Sequence, residues 1–265
     1  MNLVNIIINF EVNALQASAI RKFLRKYFKP ILPQYILDVR NKHNDKVFIG
    51  KTPREVFSII YQNKLWGGTE SDDFYSGSGS HDEKIVEAYV NALISFLEVF
   101  SSKPNVVDLG CGDFNVGRRV REYCNKYIAC DVVPSLIIRN REKFSTLDVD
   151  FMCLDITSDA LPVGDIALLR QVLQHLSNEQ ILHVINKLPG VFKFLVLTEH
   201  VPLKNDFLPN IDKPAGVGYR LDRGAESGVV LTADPFNLVA KSEYIICEIP
   251  EDGGLIRTTV YEFYN

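Results

Sequence analysis

From residue 104 onward the chain alternates short apolar runs with helical stretches, and that alternation limits its fold more than any other feature. Apolar runs stand at Val106–Leu109, Tyr127–Cys130, Asp150–Leu154, Ile166–Leu169 and Phe194–Leu197. Helical patterns such as "NVGRRVREYC" and "NEQILHVINKL" lie between them, the second opened by Ser177 and Gln180 as a capping box. Strands separated by helices pair in parallel and carry helices on both faces. Near the end the pattern changes. "EYIICEIP", "EDGG" and "LIRTTVYEFYN" read as strand, turn and strand with no room for a helix. The expectation is an α/β fold whose parallel strands are followed by an antiparallel hairpin at one sheet edge.

Residues 1–100 read as a helical extension and lid, and residues 101–265 as the core. "ALQASAIRKFLRKYF" has apolar residues at helical spacing and a basic opposite face, and Pro30 and Pro33 end it. "TPREVFSIIYQNKLW" opens with Thr52 as N-cap, Pro53 at the first helical position and Glu55 in the first turn. A Gly/Ser/Asp-rich loop runs from Trp66 to Asp82, followed by the amphipathic helix "DEKIVEAYVNALISFLEVF". Formal net charge is -4, which argues against a nucleic-acid partner. From Ile20 to Arg54, however, ten Lys or Arg face two Asp. That stretch is either a solvated helix face or a weak contact with an anionic substrate, a membrane surface or a partner protein. No run reaches the ~18 apolar residues of a membrane span, and a cytoplasmic protein is expected. Five cysteines without a C-x-x-C motif predict reduced thiols, with neither a disulfide framework nor a metal site.

The first strand runs into a glycine loop, "VVDLGCGDFNVG". Four residues separate Gly112 from Gly117, where a dinucleotide fingerprint has two, and no Gly-Lys-Ser/Thr ending marks a P-loop. Asp108 and Asp113 would repel a pyrophosphate. They suit S-adenosylmethionine, which has a cationic amine, a cationic sulfonium and no phosphate. Asp131 ends the second strand in "YIACD", where an acid can accept from both ribose hydroxyls. Asp155, after the third strand in "FMCLDI", is placed to accept from an adenine amine, with Ile156 as an apolar wall.

"VVDLGCGDFNVG", "ACD", "CLDI" and "DIALLRQVLQHLSNEQI" together resemble motifs I to IV of class I S-adenosylmethionine-dependent methyltransferases, over roughly Pro104 to the C-terminus. The resemblance implies the Rossmann-like fold of that class, S-adenosylmethionine as cofactor, and methyl transfer as the activity. It places Asp108, Gly110, Cys111, Gly112 and Arg170 along the methionine end, Asp131 at the ribose, and Asp155 and Ile156 at the adenine. "EVFSIIYQNKLWGG" followed by "FYSGSGS" resembles the leader of methyltransferases of surface-polysaccharide and other glycan biosynthesis. That likeness implies a lid containing Trp66 and Tyr75 and an acceptor that is a sugar or another small molecule.

Transfer to a hydroxyl oxygen benefits from a general base. The candidates, in order, are His175 after the fourth strand, then His200 and Glu199 after the fifth. Methyltransferases acting on amide or nucleobase nitrogens often carry Asn-Pro-Pro-Tyr where this chain has Arg170 and Gln171, which counts against an exocyclic-nitrogen acceptor. The insertion Tyr219–Leu238 is a candidate substrate wall through Arg220 and its "DPFNL" turn. His43 and His81, in polar loops, read as exposed. Two rivals stay open: a catalytically silent module that binds the cofactor or a partner, and an NAD-dependent oxidoreductase.

Overall fold

The computed structural model describes residues 46–69, 72–223 and 227–264. The basic helix expected within the first thirty residues, most of the basic stretch and His43 lie outside the described residues. Among those described, no helix is long and apolar enough to cross a membrane.

The described chain begins with α1 (Pro53–Gln62) and α2 (Glu83–Leu97), followed by β1 (Val106–Leu109), α3 (Gly117–Val120), β2 (Tyr127–Asp131), α4 (Pro134–Lys143) and β3 (Asp150–Cys153). It continues with β4 (Ile166–Arg170), α5 (Asn178–Ile185), β5 (Phe194–Pro202), β6 (Ser242–Glu251) and β7 (Gly254–Glu262). The seven strands form one sheet in the order β3-β2-β1-β4-β5-β7-β6. All neighbours from β3 to β5 pair in parallel, and β7 runs antiparallel to both β5 and β6. The expected α/β architecture and its terminal hairpin are therefore present.

Alternation along each strand separates two cores. Val107 and Leu109 of β1 join Val56, Phe57 and Ile60 of α1 and Ile181, Val184 and Ile185 of α5 on one face. Val106 joins Tyr89, Leu93 and Leu97 of α2 on the other. Each such fully buried aliphatic side chain contributes ~1.5–3 kcal/mol, and Leu93→Ala would forfeit ~2–5 kcal/mol, because the void cannot refill. Both capping boxes form. Thr52 pairs with Glu55 and Ser177 with Gln180, so the orphan amides at the starts of α1 and α5 are met locally.

Two element boundaries differ from the sequence expectation, and one loop packs inward. The helix after β1 holds only Gly117–Val120 before tightening into a 3-10 turn at Arg121–Tyr123. Strand β5 runs on to Pro202 because β7 pairs along its whole length, so Glu199 and His200 lie inside the strand, opposite Arg257 and Ile256. In the "DPFNL" turn Phe236 packs inward and is buried in the core with Val229 and Leu231.

Candidate active site

Loops at the carboxyl edge of the sheet enclose a cavity of about 1310 Å³. Ligand pockets for one drug-sized molecule run ~300–1,000 Å³, so a nucleoside-sized ligand and a second molecule fit together. The cavity crosses the sheet laterally. Asp131, at the end of β2, and Asp155 and Ile156, after β3, line one end. Gly110, Cys111 and Gly112 follow β1 in the middle, and Arg170 and His175 follow β4. His200, Trp66 and Tyr219 line the far end.

The glycine loop is shaped by close approaches. Gly110 (φ 92°) and Gly112 (φ 55°) are left-handed, and a Cβ on either would collide, with Val172 and with Ser76 Oγ respectively. Asp131 accepts from Gly112 N at 3.1 Å and from Val133 N at 3.1 Å, which orients its carboxylate across the loop. Burial raises its pKa to about 6, against the lowering effect of those amides. Asp108 accepts from the Tyr127 hydroxyl at 2.9 Å, and burial raises it to about 7. Asp155 spends Oδ1 on the amide and hydroxyl of Thr157 at 2.9 and 2.7 Å.

Asp113 takes a different place from the one its sequence position suggested. Its carboxylate accepts from Ser76 N at 3.0 Å and lies 2.6 Å from His81 Nε2, while its own amide donates to Ser76 Oγ at 2.8 Å. His81 is thus a half-buried partner of the site and not an exposed loop residue. Tyr75 stacks on the His81 ring at 4.2 Å. The strap 75–81 is tied at its other edge by Arg170, which donates to Gly79 O at 2.6 Å and to Ser80 Oγ at 3.2 Å. The Arg170 guanidinium lies over the Tyr89 ring at 4.9 Å, and its Nε is buried with no partner.

At the far end two imidazoles are fixed. His175 Nδ1 is 3.2 Å from the Gly216 carbonyl, which can only accept, so Nδ1 carries the proton. Gln174 Oε1 accepts from His200 N at 3.1 Å, which leaves its amide nitrogen facing His175 Nε2 at 3.3 Å. Nε2 is then the lone-pair nitrogen. Trp66 packs against the His175 ring at 5.0 Å, and Tyr219 stacks on His200 at 5.0 Å. His200 Nε2 donates to Glu251 O at 2.8 Å.

Two sequence candidates do not line the cavity. Glu199 is buried, and its two oxygens accept from Leu173 N and Gln174 N at 3.0 and 2.8 Å. Arg220 is buried too and donates to Leu176 O and Asn178 Oδ1 at 3.1 and 2.6 Å. His81 and Gln174 were not legible as site residues, and Asp113 and Ser76 were legible only as an acid that suits the cofactor and as part of the "FYSGSGS" loop, because the contacts of each are with partners distant in sequence.

No family model matches the chain, and no curated protein matches it by sequence. Solved structures do. The N-methyltransferase NodS from Bradyrhizobium japonicum WM9 superposes with TM-score 0.50 at 14% identity, over 69% of this chain and 99% of NodS. The N-terminal domain of EvdMO1 with SAH bound gives 0.52 at 14%, over 81% and 98%. The same domain, solved in the presence of SAH and D-fucose, gives 0.51 at 14%, over 81% and 98%. Magnesium protoporphyrin IX methyltransferase (ChlM) from Synechocystis PCC 6803 with bound SAM gives 0.50 at 13%, over 79% and 94%. At these identities the likeness shows the fold, and the fold is that of class I methyltransferases.

Proposed function

We propose that this chain, built on the class I methyltransferase fold, binds S-adenosylmethionine and transfers its methyl group to an oxygen of a sugar or another small molecule. The observation that carries the reading is the order of chemistry along one cavity. Acids that suit a nucleoside stand at β2 and β3, a collapsed glycine loop stands at β1, and an imidazole with a fixed lone pair stands after β4.

The residues fit the cofactor. Gly110 and Gly112 leave no side chain where a ligand must approach the backbone. Asp131 would take the ribose hydroxyls, Asp155 the adenine amine beside Ile156, and Asp108 the ammonium. Arg170, with its unpartnered Nε, would take the carboxylate. The bound sulfonium supplies an already activated methyl group. The protein's part is alignment and exclusion of water. Trp66, Tyr75 and the strap close over the cavity as a lid. His175 Nε2 would receive the acceptor's proton, the hydroxyl displacing the long contact to Gln174. His200 is the second candidate for that role. The leader's likeness to glycan-modifying enzymes supports a sugar acceptor in the cytoplasm, and D-fucose accompanies the EvdMO1 domain in one structure.

Calorimetric titration of S-adenosylhomocysteine and of NAD into wild type and Asp131→Ala tests this reading. Micromolar binding of S-adenosylhomocysteine, weakened ~100-fold in the variant by loss of a charged hydrogen-bond acceptor, is expected. A preference for NAD would replace the reading with a dehydrogenase.

A further inference from the structure

Glu199 and Arg220 are both 2% exposed, and neither faces the cavity. Burying a carboxylate and a guanidinium is unfavourable unless each is fully used. Both engage the same piece of backbone, and Arg220 also donates to Asn178 Oδ1 at 2.6 Å. Glu199 receives the amides of Leu173 and Gln174, the first two residues of the 3-10 turn Leu173–His175. Arg220 approaches the carbonyls of Leu173 and Gln174 at 3.5 and 3.4 Å and donates to Leu176 O at 3.1 Å. The turn is held on its amide side by an acid and on its carbonyl side by a base. The attraction of Arg220 opposes the burial that raises Glu199 to about 8.

That turn ends in His175. Its other neighbour, Gln174, has its amide oriented by His200 N from the strand that also carries Glu199. A shift of the turn would therefore move the imidazole relative to Gly216 O, the acceptor that favours a proton on Nδ1, and would pull Gln174 from the His200 amide that orients it toward Nε2. We propose that Glu199 and Arg220 are positioning residues, which clamp the turn Leu173–His175 so that His175 holds its proton on Nδ1 and keeps Nε2 as the basic nitrogen. The proposal deepens the methyltransferase reading, in which His175 is the base, and it reassigns two residues that sequence alone placed at the acceptor.

The test is nitrogen-15 NMR of the full chain labelled at histidine, with His175 assigned by its loss in His175→Gln. Wild type should show a single tautomer, with Nδ1 protonated and Nε2 at the shift of an unprotonated ring nitrogen. Glu199→Gln turns one acceptor into a donor facing an amide. It should average the two nitrogens toward a tautomer mixture while S-adenosylhomocysteine affinity stays within twofold. Arg220→Lys keeps the charge, loses the fork, and should give the same averaging in a milder background. The proposal is overturned if wild-type His175 carries its proton on Nε2, or if both variants keep the single wild-type tautomer. Failure of wild type to bind S-adenosylhomocysteine would remove the methyltransferase reading and leave the tautomer result standing, so the two failures are distinguishable.

Discussion

His81 Nε2 lies 2.6 Å from a carboxylate oxygen of Asp113, joining a strap to a glycine loop 32 residues further along the chain. The contact lies at the point where the strap crosses the cavity, beside Ser76, which exchanges two hydrogen bonds with Asp113. In the proposed reading, this cluster ties down the strap that covers the bound cofactor.

His81→Ala should therefore speed release of S-adenosylhomocysteine more than it slows capture, with a net loss of about tenfold in affinity, since changes at a closed site fall mainly on the off-rate. Stopped-flow dissociation reads this directly. An unchanged off-rate would mean that the strap does not gate the cavity. Burial pushes Asp113 up, but His81 and the amides of Ser76 and Asn115 outweigh it and leave its pKa below the ordinary 3.8. A depressed acid contributes stability above its unfolded value and loses it as pH falls through the folded one. The Asp113 side of the contact should thus stay ionised at pH values above about 4.

Binding should still weaken in mild acid, for a different reason. Asp131 is raised to about 6 by burial, and in the proposed reading it accepts from the two ribose hydroxyls as the carboxylate. At pH 5 roughly one molecule in ten would carry that charge, and Asp108, raised to about 7, loses its own over the same range, so affinity for S-adenosylhomocysteine should fall at least tenfold between pH 7.5 and pH 5. Asp131→Asn should bind weakly at both values. An affinity that is flat across this range in wild type would show that Asp131 does not meet the ligand.

Much of this was legible in the sequence because it is local. Short apolar runs, the Thr52 and Ser177 caps, and the acids at strand ends all announce themselves within a few residues. Helix α4 did not stand out, because its buried face holds only Leu136, Ile137 and Asn140 among charged neighbours. The roles of Asp113, His81, Glu199 and Arg220 were beyond reach for a deeper reason. Each depends on which loops meet above the sheet, and no spacing within one segment encodes that meeting.

Gly112→Ala shows how closely two of those loops meet. The residue has φ 55°, and a Cβ would run into Ser76 Oγ, with Tyr61 Oη at 3.4 Å. Strain at the backbone and displacement of the strap should add, costing ~1–3 kcal/mol, or a fall in Tm of roughly 2–12 °C for a chain of this size. Calorimetry of the unliganded protein would show it, and Gly190→Ala, with nothing within 4 Å of the added atom, is the control. Equal Tm for the two variants would count against the packing of strap on loop.

Asp108 separates stability from binding. Burial lifts it to about 7, while the hydroxyl of Tyr127 only partly offsets that rise. An acid whose folded pKa is raised destabilises the fold at pH values above its unfolded value, because the native state must bury a charge that the unfolded chain keeps in water. The unliganded protein should therefore gain stability as pH falls from 8 toward 5.5. Asp108→Asn keeps the shape and an acceptor for Tyr127 but removes the charge. At pH 8 its Tm should exceed that of wild type by a few degrees, at ~2–4 °C per kcal/mol. The same variant should bind S-adenosylhomocysteine at least tenfold more weakly, because the ligand's ammonium loses its counter-charge in a site with little water to replace it. Stability surrendered at an ionised buried group and regained on binding a cation is what a ligand site looks like energetically. A variant that neither gained Tm nor lost affinity would show Asp108 to be a structural partner of Tyr127 alone.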